Sequence, residues 1–165
     1  MVDITLAADA GFFNYRVGAI ILSNDGVLMV KNANHPYYYS VGGRVRFGET
    51  AEDAVLREAC EETKLTFEID RLAFIHENFF VGGFGEPKPF HEIALFFLMK
   101  PHHDIGRIQC QSIGADGGDE TLHWLPLDTL ADCPVYPEFF RSELKNLSRE
   151  VRRFVTRDNA TVRVG

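Results

Sequence analysis

Nothing in the sequence is apolar for long enough to cross a bilayer as a helix. The runs VGAIIL and IALFFLM are the longest of their kind, far short of the roughly 20 residues that a membrane-spanning helix needs. The opening MVDITLAADAGFF has neither the basic start nor the apolar stretch of a secretion signal. Cysteine is scarce: Cys60, Cys110 and Cys133 are odd in number, widely spaced, and form no Cys-x-x-Cys pair. That gives no basis for a disulfide framework or a paired thiolate metal site, and it predicts reduced thiols in a soluble, cytoplasmic protein. Positive charge is in deficit, with 17 Lys and Arg against 24 acids and a net charge of −7. Such a balance works against binding a nucleic acid polymer or an anionic membrane. Repeats, low-complexity tracts and interdomain linkers are missing too, so residues 1–165 are read as one domain.

What is present is enough for a core, since 45% of the residues are hydrophobic and 12% aromatic. β-Branched and aliphatic residues mark strands at residues 15–22 and 27–31, and SNDG between them has the turn chemistry of a hairpin. Further strands are expected at residues 37–43, 72–80 and 91–100, and around Trp124, with the turn-rich VGGFGEPKPF between two of them. Phe140, Leu144, Leu147, Val151 and Phe154 repeat at steps of four and three, which predicts an amphipathic helix over residues 137–157. Arg141, Lys145, Arg149, Arg152 and Arg153 would form its solvated face. Strands with one helix in the middle and one at the end give an α/β layered domain with a mixed sheet.

The middle helix carries the chemistry. GETAED supplies its start, with Thr50 as N-cap and Asp53 completing a capping box. It then runs through REACEE to about Glu62 or Thr63. At about 100° per residue, Glu58 and Glu62 share an arc with Ala51, Ala54 and Val55, and Glu61 borders it. A solvated acidic face would lie opposite the apolar stripe; here the acids are embedded in it. Two carboxylates about 4 Å apart repel by roughly 1 kcal/mol in water and about 4 kcal/mol at an effective dielectric of 20. Arg57 alone cannot neutralise three of them, whereas a hard divalent cation with oxygen ligands can. Just upstream, VGGRVRFGE offers backbone freedom at Gly42, Gly43 and Gly48 for a loop folding over the same place.

Residues 43–65 resemble the Nudix box: Gly43, Glu49, Arg57, Glu58, Ala59, Glu61, Glu62 and Leu65 fall at its positions. The resemblance implies a Nudix-type (MutT-like) α/β/α sandwich with a loop-helix-loop catalytic motif, and Mg²⁺- or Mn²⁺-dependent hydrolysis of a diphosphate linkage in a nucleoside diphosphate derivative. Carried over by position, Glu58, Glu61 and Glu62 are metal ligands, with the Gly43 carbonyl a further one. Arg57 and Glu49 pair to hold loop to helix. Glu58 is the first choice of general base, and Glu92 and Glu120 are candidates for an additional ligand or base. Arg16, Lys31, Arg44 and Arg46 are candidates for substrate phosphate, and Phe79, Phe80 or one of Tyr37, Tyr38 and Tyr39 for stacking on a base. His102, His103 and Asp104, adjacent in a Pro-flanked loop, are read as surface residues.

Two positions depart from the pattern. Lys64 stands where the family has glycine at the helix exit, and a left-handed lysine there costs about 1 to 2 kcal/mol. Tyr39 and Val41 stand where many relatives have Trp and Pro. The sequences that mark subfamilies for ADP-ribose or dinucleoside polyphosphates are not matched, Val81 and Gly83 standing at the places concerned. That leaves a (d)NTP or modified nucleotide as the default substrate. ADP-ribose, a nucleotide sugar, and a non-catalytic nucleotide-sensing module are the alternatives. A homodimer would draw on the apolar stripe of the final helix or on an exchanged N-terminal segment.

Overall fold

The computed structural model describes residues 1–24, 26–82, 87–108, 111–113, 118–157 and 160–164. Asp25 of the SNDG turn, most of the loop after Val81, and Cys110 lie outside these residues. The strands are β1 (Thr5–Ala8), β2 (Gly11–Ile20), β3 (Leu22–Ser23), β4 (Gly26–Asn32), β5 (Tyr38–Arg44), β6 (Ile69–Gly82), β7 (Lys88–Met99), β8 (Gln111–Ile113), β9 (Asp119–Leu125), β10 (Val135–Tyr136), β11 (Arg152–Arg157) and β12 (Ala160–Val164). Helix α1 spans Ala51–Thr63, and α2 is a single turn over Phe140–Glu143. The main path of the mixed sheet runs β12-β11-β6-β7-β2-β5-β4-β9-β8. β2 is parallel to β7 and antiparallel to β5, and β11 is parallel to β6. The expected hairpin is present, with Leu22 opposite Val27 and Ser23 opposite Gly26.

Alternation along the strands sorts side chains to two cores. On one face Val17, Ala19 and Val41 meet Ala51, Ala54, Val55 and Ala59 of α1. On the other, Ile20, Phe74 and Phe96 meet Phe139, Phe140, Leu144 and Phe154. Here Phe74 packs edge-on to Phe139 at 5.2 Å and to Phe154 at 5.8 Å. Burying each such ring contributes about 1.5 to 3 kcal/mol. Helices thus lie on both faces of the sheet, the second layer being only the short α2 and the 3-10 turn Leu144–Asn146.

α1 begins and ends as its residues dictate. The Thr50 hydroxyl accepts the Asp53 N–H at 3.1 Å and donates to the Asp53 carboxylate at 2.8 Å. At the exit Lys64 takes φ 62°, ψ 17°, and its N–H donates to the Cys60 carbonyl, so the strained left-handed exit is kept without glycine.

The helix expected over residues 137–157 is the main correction. Helical turns form only at its start; Leu147 turns extended at φ −58°, ψ 120°. The Ser148 hydroxyl then accepts the Glu150 N–H at 3.1 Å, and the Ser148 carbonyl accepts Arg71 at 2.8 Å. Residues 152–157 (RRFVTR) leave this turn as β11 and pair along the edge of β6 from Arg152 opposite Phe74 to Arg157 opposite Phe79. Phe154 still reaches the core, stacked on Phe139 at 4.1 Å, but Val151 is 48% exposed. The basic residues are tied within the chain: Arg141 to the Cys133 carbonyl, Lys145 to Asp128, Arg152 to Glu143 and Arg153 to Glu77. The continuous apolar helix face on which a dimer would have drawn is therefore not formed. Among the described residues no helix is long and apolar enough to cross a membrane.

Candidate functional site

β5 runs into the loop before α1, and the two are locked by Arg57. Its guanidinium grips Glu49 through two bonds of 2.7 and 2.9 Å, reaches the Arg44 carbonyl at 3.1 Å, and donates to Glu58 at 2.6 Å and Glu61 at 3.4 Å. The other oxygen contact of Glu49 is the Arg46 N–H at 3.0 Å. The Arg57 side chain is 18% exposed and Glu49 8%, a setting in which a bidentate charged pair has both strength and direction. The hydrogen bond from Arg57, with smaller help from Arg46, holds the Glu49 carboxyl below the usual range. Glu49 in turn raises Arg57 above its ordinary value.

Two glycines let the carboxylates approach the strand. Gly42 has φ 143°, and a Cβ there would meet the Val17 carbonyl oxygen at 2.2 Å; its N–H donates to Glu62 Oε1 at 3.0 Å. A Cβ on Gly43 would lie 2.5 Å from the carboxyl carbon of Glu58. A side chain at 43 would thus displace the Glu58 carboxylate from its present place. The second oxygen of Glu62, Oε2, is buried and has no hydrogen-bond partner. Burial is the main cause that lifts the Glu62 carboxyl to about 8, with repulsion from Glu58 and Glu120 adding to it and the Gly42 N–H opposing it. Glu58 is also raised, by burial first, against the pull of Arg57. Glu61 is 52% exposed and lies 3.9 Å from Arg46, which also reaches Asp3. Glu58, Glu61 and Glu62 thus project from the last turns of α1, one with an orphaned buried oxygen; oxygen donors are the kind a hard divalent cation takes, but these three are not among the ligand atoms that lie within 4.8 Å of one another, which among the described residues are those of His102, His103 and Asp104.

The outer residues divide. Glu120 sits near Glu62 and accepts the Tyr39 hydroxyl at 2.5 Å. Glu92 is buried on the opposite sheet face among β2 side chains, 3.4 Å from Asn14 and 3.9 Å from Arg16. Arg16 is also close enough to lower Glu62, and it faces Arg44 across the β2–β5 pair. Arg44 Nε is buried with no partner. Arg46 therefore borders Glu61, Arg16 acts on Glu62 from beside Glu92, and the Arg44 side chain is brought to none of the three carboxylates, while the Lys31 ammonium lies over the Tyr38 ring at 5.0 Å. Phe79 has one ring face stacked on His91 at 4.2 Å, and the Arg157 guanidinium lies over the ring at 3.9 Å. Phe80 stacks on Phe90 at 5.0 Å, and Tyr37 packs against Tyr136 at 4.8 Å. The loop residues His102, His103 and Asp104 bring ligand atoms within 4.8 Å of one another. There the Asp104 carboxylate is already engaged by His103 and Arg107, and His103 is 87% exposed.

Sequence reasoning missed Asn14, Asp3 and the hydroxyl bond of Tyr39. The one available signal was FNYR, in which polar Asn14 and Arg16 occupy every second position of a strand whose later residues are apolar on both faces.

A sequence profile described as the NUDIX domain matches residues 13–147. The chain is 26% identical over 117 residues to a MutT-like protein of Streptomyces ambofaciens, covering 70% of this chain and 66% of that protein. It is 41% identical over 66 residues to putative nudix hydrolase 1 of Caenorhabditis elegans, covering 36% of this chain and 18% of that one. The chain thus spans less than two thirds of the length of either curated relative. Among solved structures, a MutT protein from Bacillus halodurans superposes with a TM-score of 0.61 at 17% identity, over 90% of this chain and 94% of that one.

Proposed function

The chain belongs to the NUDIX-domain family and has its α/β fold, and from that premise we propose that it is a pyrophosphohydrolase requiring Mg²⁺ or Mn²⁺, cleaving the diphosphate linkage of a nucleoside diphosphate derivative. The observation that carries the reading is the orphaned, buried Oε2 of Glu62, a residue on which Glu58 acts: a buried polar atom without a partner calls for an explanation, and a bound cation supplies one. Glu58, Glu61 and Glu62 would hold the cation, with the Gly43 carbonyl at its side. A cation bound there supplies counter-charge to the diphosphate oxygens and acidifies water.

The chain's own residues do the rest. Arg57 and Glu49 fix the helix to the loop and so set the direction of Glu58. Arg16, Arg44 and Arg46 offer charge to substrate phosphates, which lets a protein of net charge −7 take an anion. Glu58, whose direction Arg57 sets, is the proposed acceptor of the proton of the attacking water. The substrate class we propose is a (d)NTP or modified nucleotide, in one cytoplasmic domain over residues 1–165, with ADP-ribose or a nucleotide sugar as the second reading.

The test is a Mg²⁺-dependent hydrolysis screen over nucleoside triphosphates, ADP-ribose, nucleotide sugars and dinucleotides with product identification. Turnover of at least one, lost in Glu61→Gln and Glu62→Gln variants that remain folded, is the expected result. Retained cation binding with a silent screen would instead identify a nucleotide-sensing module.

A further inference from the structure

Resting on the reading above, we infer that Glu92 is a positioning residue for Arg16: at the end of a chain of polar contacts from Thr5 through Asn14, its carboxylate holds the Arg16 guanidinium beside Arg44 for a substrate phosphate. Val17 and Ala19 of β2 face α1, whereas Ile20 of β2 and Ala94 and Phe96 of β7 face the other core. By alternation, Asn14, Arg16 and Glu92 stand on the face away from α1. Glu92 thus arises on the other side of the sheet from Glu58, Glu61 and Glu62, and the charged group it meets is an arginine.

The chain crosses β1, β2 and β7 in one row, with Thr5 opposite Asn14 and Asn14 opposite Glu92. The Thr5 hydroxyl donates to Asn14 Oδ1 at 2.9 Å, which turns the amide nitrogen toward Glu92 Oε2 at 3.4 Å. The same Glu92 oxygen lies 3.9 Å from the Arg16 guanidinium. Asn14 is 2% exposed and Glu92 9%, so packing fixes both, while the Arg16 side chain keeps 36% of its surface open to a ligand. Across the sheet, Arg16 is opposite Arg44 of β5. Directly opposed residues of an antiparallel pair have Cβ atoms about 5 Å apart, and like charges there destabilise the sheet. Arg44 Nε is moreover buried with no hydrogen-bond partner. Two opposed arginines, one with an orphaned donor, are explained by an anion that both meet. The neighbouring pair in the same ladder is Val17 and Gly43, the glycine against which the Glu58 carboxyl lies, so the arginines adjoin the proposed cation site.

The test is calorimetric binding of inorganic pyrophosphate, with Mg²⁺, to the full chain. Glu92→Gln keeps the shape and an acceptor for Asn14 and removes the charge. Electrostatics alone would make this variant bind the anion more tightly, since a negative charge has gone; losing the hold on Arg16 makes it bind more weakly. Glu92→Gln and Arg16→Ala are each expected to weaken pyrophosphate binding about tenfold, and the double variant is expected to bind no more weakly than Arg16→Ala alone. Thr5→Val, at the partly exposed far end of the chain, should weaken it about threefold. In Glu92→Gln, Mn²⁺ binding without pyrophosphate, read from the EPR signal of free Mn²⁺, should match wild type. Unchanged or tighter pyrophosphate binding in Glu92→Gln or Thr5→Val, effects that multiply in the double variant, or loss of Mn²⁺ in Glu92→Gln would overturn the inference, as would a wild-type protein that binds no pyrophosphate. The two levels separate: pyrophosphate binding that depends on Glu92, with a silent hydrolysis screen, leaves the positioning role standing and removes the hydrolase reading, and turnover with unchanged pyrophosphate affinity in Glu92→Gln does the reverse.

Discussion

Replacing Glu62 by Gln is expected to stabilise the metal-free protein at alkaline pH. The Glu62 carboxyl is raised from 4.5 to about 8, chiefly by burial. A group whose pKa is higher in the folded state contributes stability that is fully present below its unfolded value and is lost as pH rises through its folded value. Between pH 4.5 and 8 the metal-free protein therefore loses stability through this residue. At about 1.4 kcal/mol per pH unit, and with part of the effect shared with Glu58, the loss is about 3 to 5 kcal/mol. For a domain of this size that corresponds to roughly 6 to 20 °C in Tm.

His76 works in the opposite direction and has to be separated. Burial lowers it to about 4, so its contribution is lost as pH falls from 6.5 toward 4. Comparing Glu62→Gln with wild type across pH cancels the His76 effect, which both share. The glutamine keeps an acceptor for the Gly42 N–H and removes the buried charge. The assay is thermal unfolding in chelator from pH 5 to 9. The variant's advantage should grow with pH, and Mg²⁺ at a hundredfold its Kd should raise wild type by about 2.7 kcal/mol while leaving the variant unmoved. Parallel pH profiles for the two proteins would refute the reasoning.

Two further substitutions probe the frame of the site. Arg57→Lys replaces a planar fork with a point charge and strands part of Glu49; we expect about 1 to 2 kcal/mol of destabilisation at pH 7 by denaturant unfolding and a 10- to 100-fold fall in kcat. Because Glu49 is depressed by Arg57, that loss should shrink as pH falls through the folded pKa of Glu49, and a pH-independent loss would contradict the pairing. Lys64→Gly should relieve the left-handed exit of α1 at the cost of the bond from Lys64 Nζ to the Glu61 carbonyl, for a net gain of about 0.5 to 1 kcal/mol; a fall in Tm would show that the lysine contact outweighs the backbone strain.

The helix that carries the candidate site was legible in the sequence, for a physical reason. Glu58, Glu61 and Glu62 recur at steps of three and four beside small apolar residues, which is a helical period, and Thr50 with Asp53 marks where that helix begins; their service as cation ligands is the proposal made above. Arg57 and Glu49 also pair as their positions suggested. Strand positions followed from alternation, but which strands pair did not, because pairing is decided by tertiary packing. The C-terminal segment fails for the same reason. Phe140, Leu144 and Phe154 bury as their spacing suggests, yet a turn at Ser148 and the open edge of β6 draw residues 152–157 into a strand. Aromatic residues were ambiguous as to face: one side of Phe79 is stacked on His91 and the Arg157 guanidinium lies over its ring, which no periodicity could reveal.

The β11 pairing has a practical consequence for anyone trimming the chain. The NUDIX match ends at residue 147, but the strand that closes the flank of β6 begins at Arg152. A fragment cut at the end of the match would present the backbone amides and carbonyls of β6 from Phe74 to Phe79 as an open template for self-association, and would strip the Phe154 ring from Phe139. Cover for the β6 edge is therefore encoded beyond the segment that identifies the family.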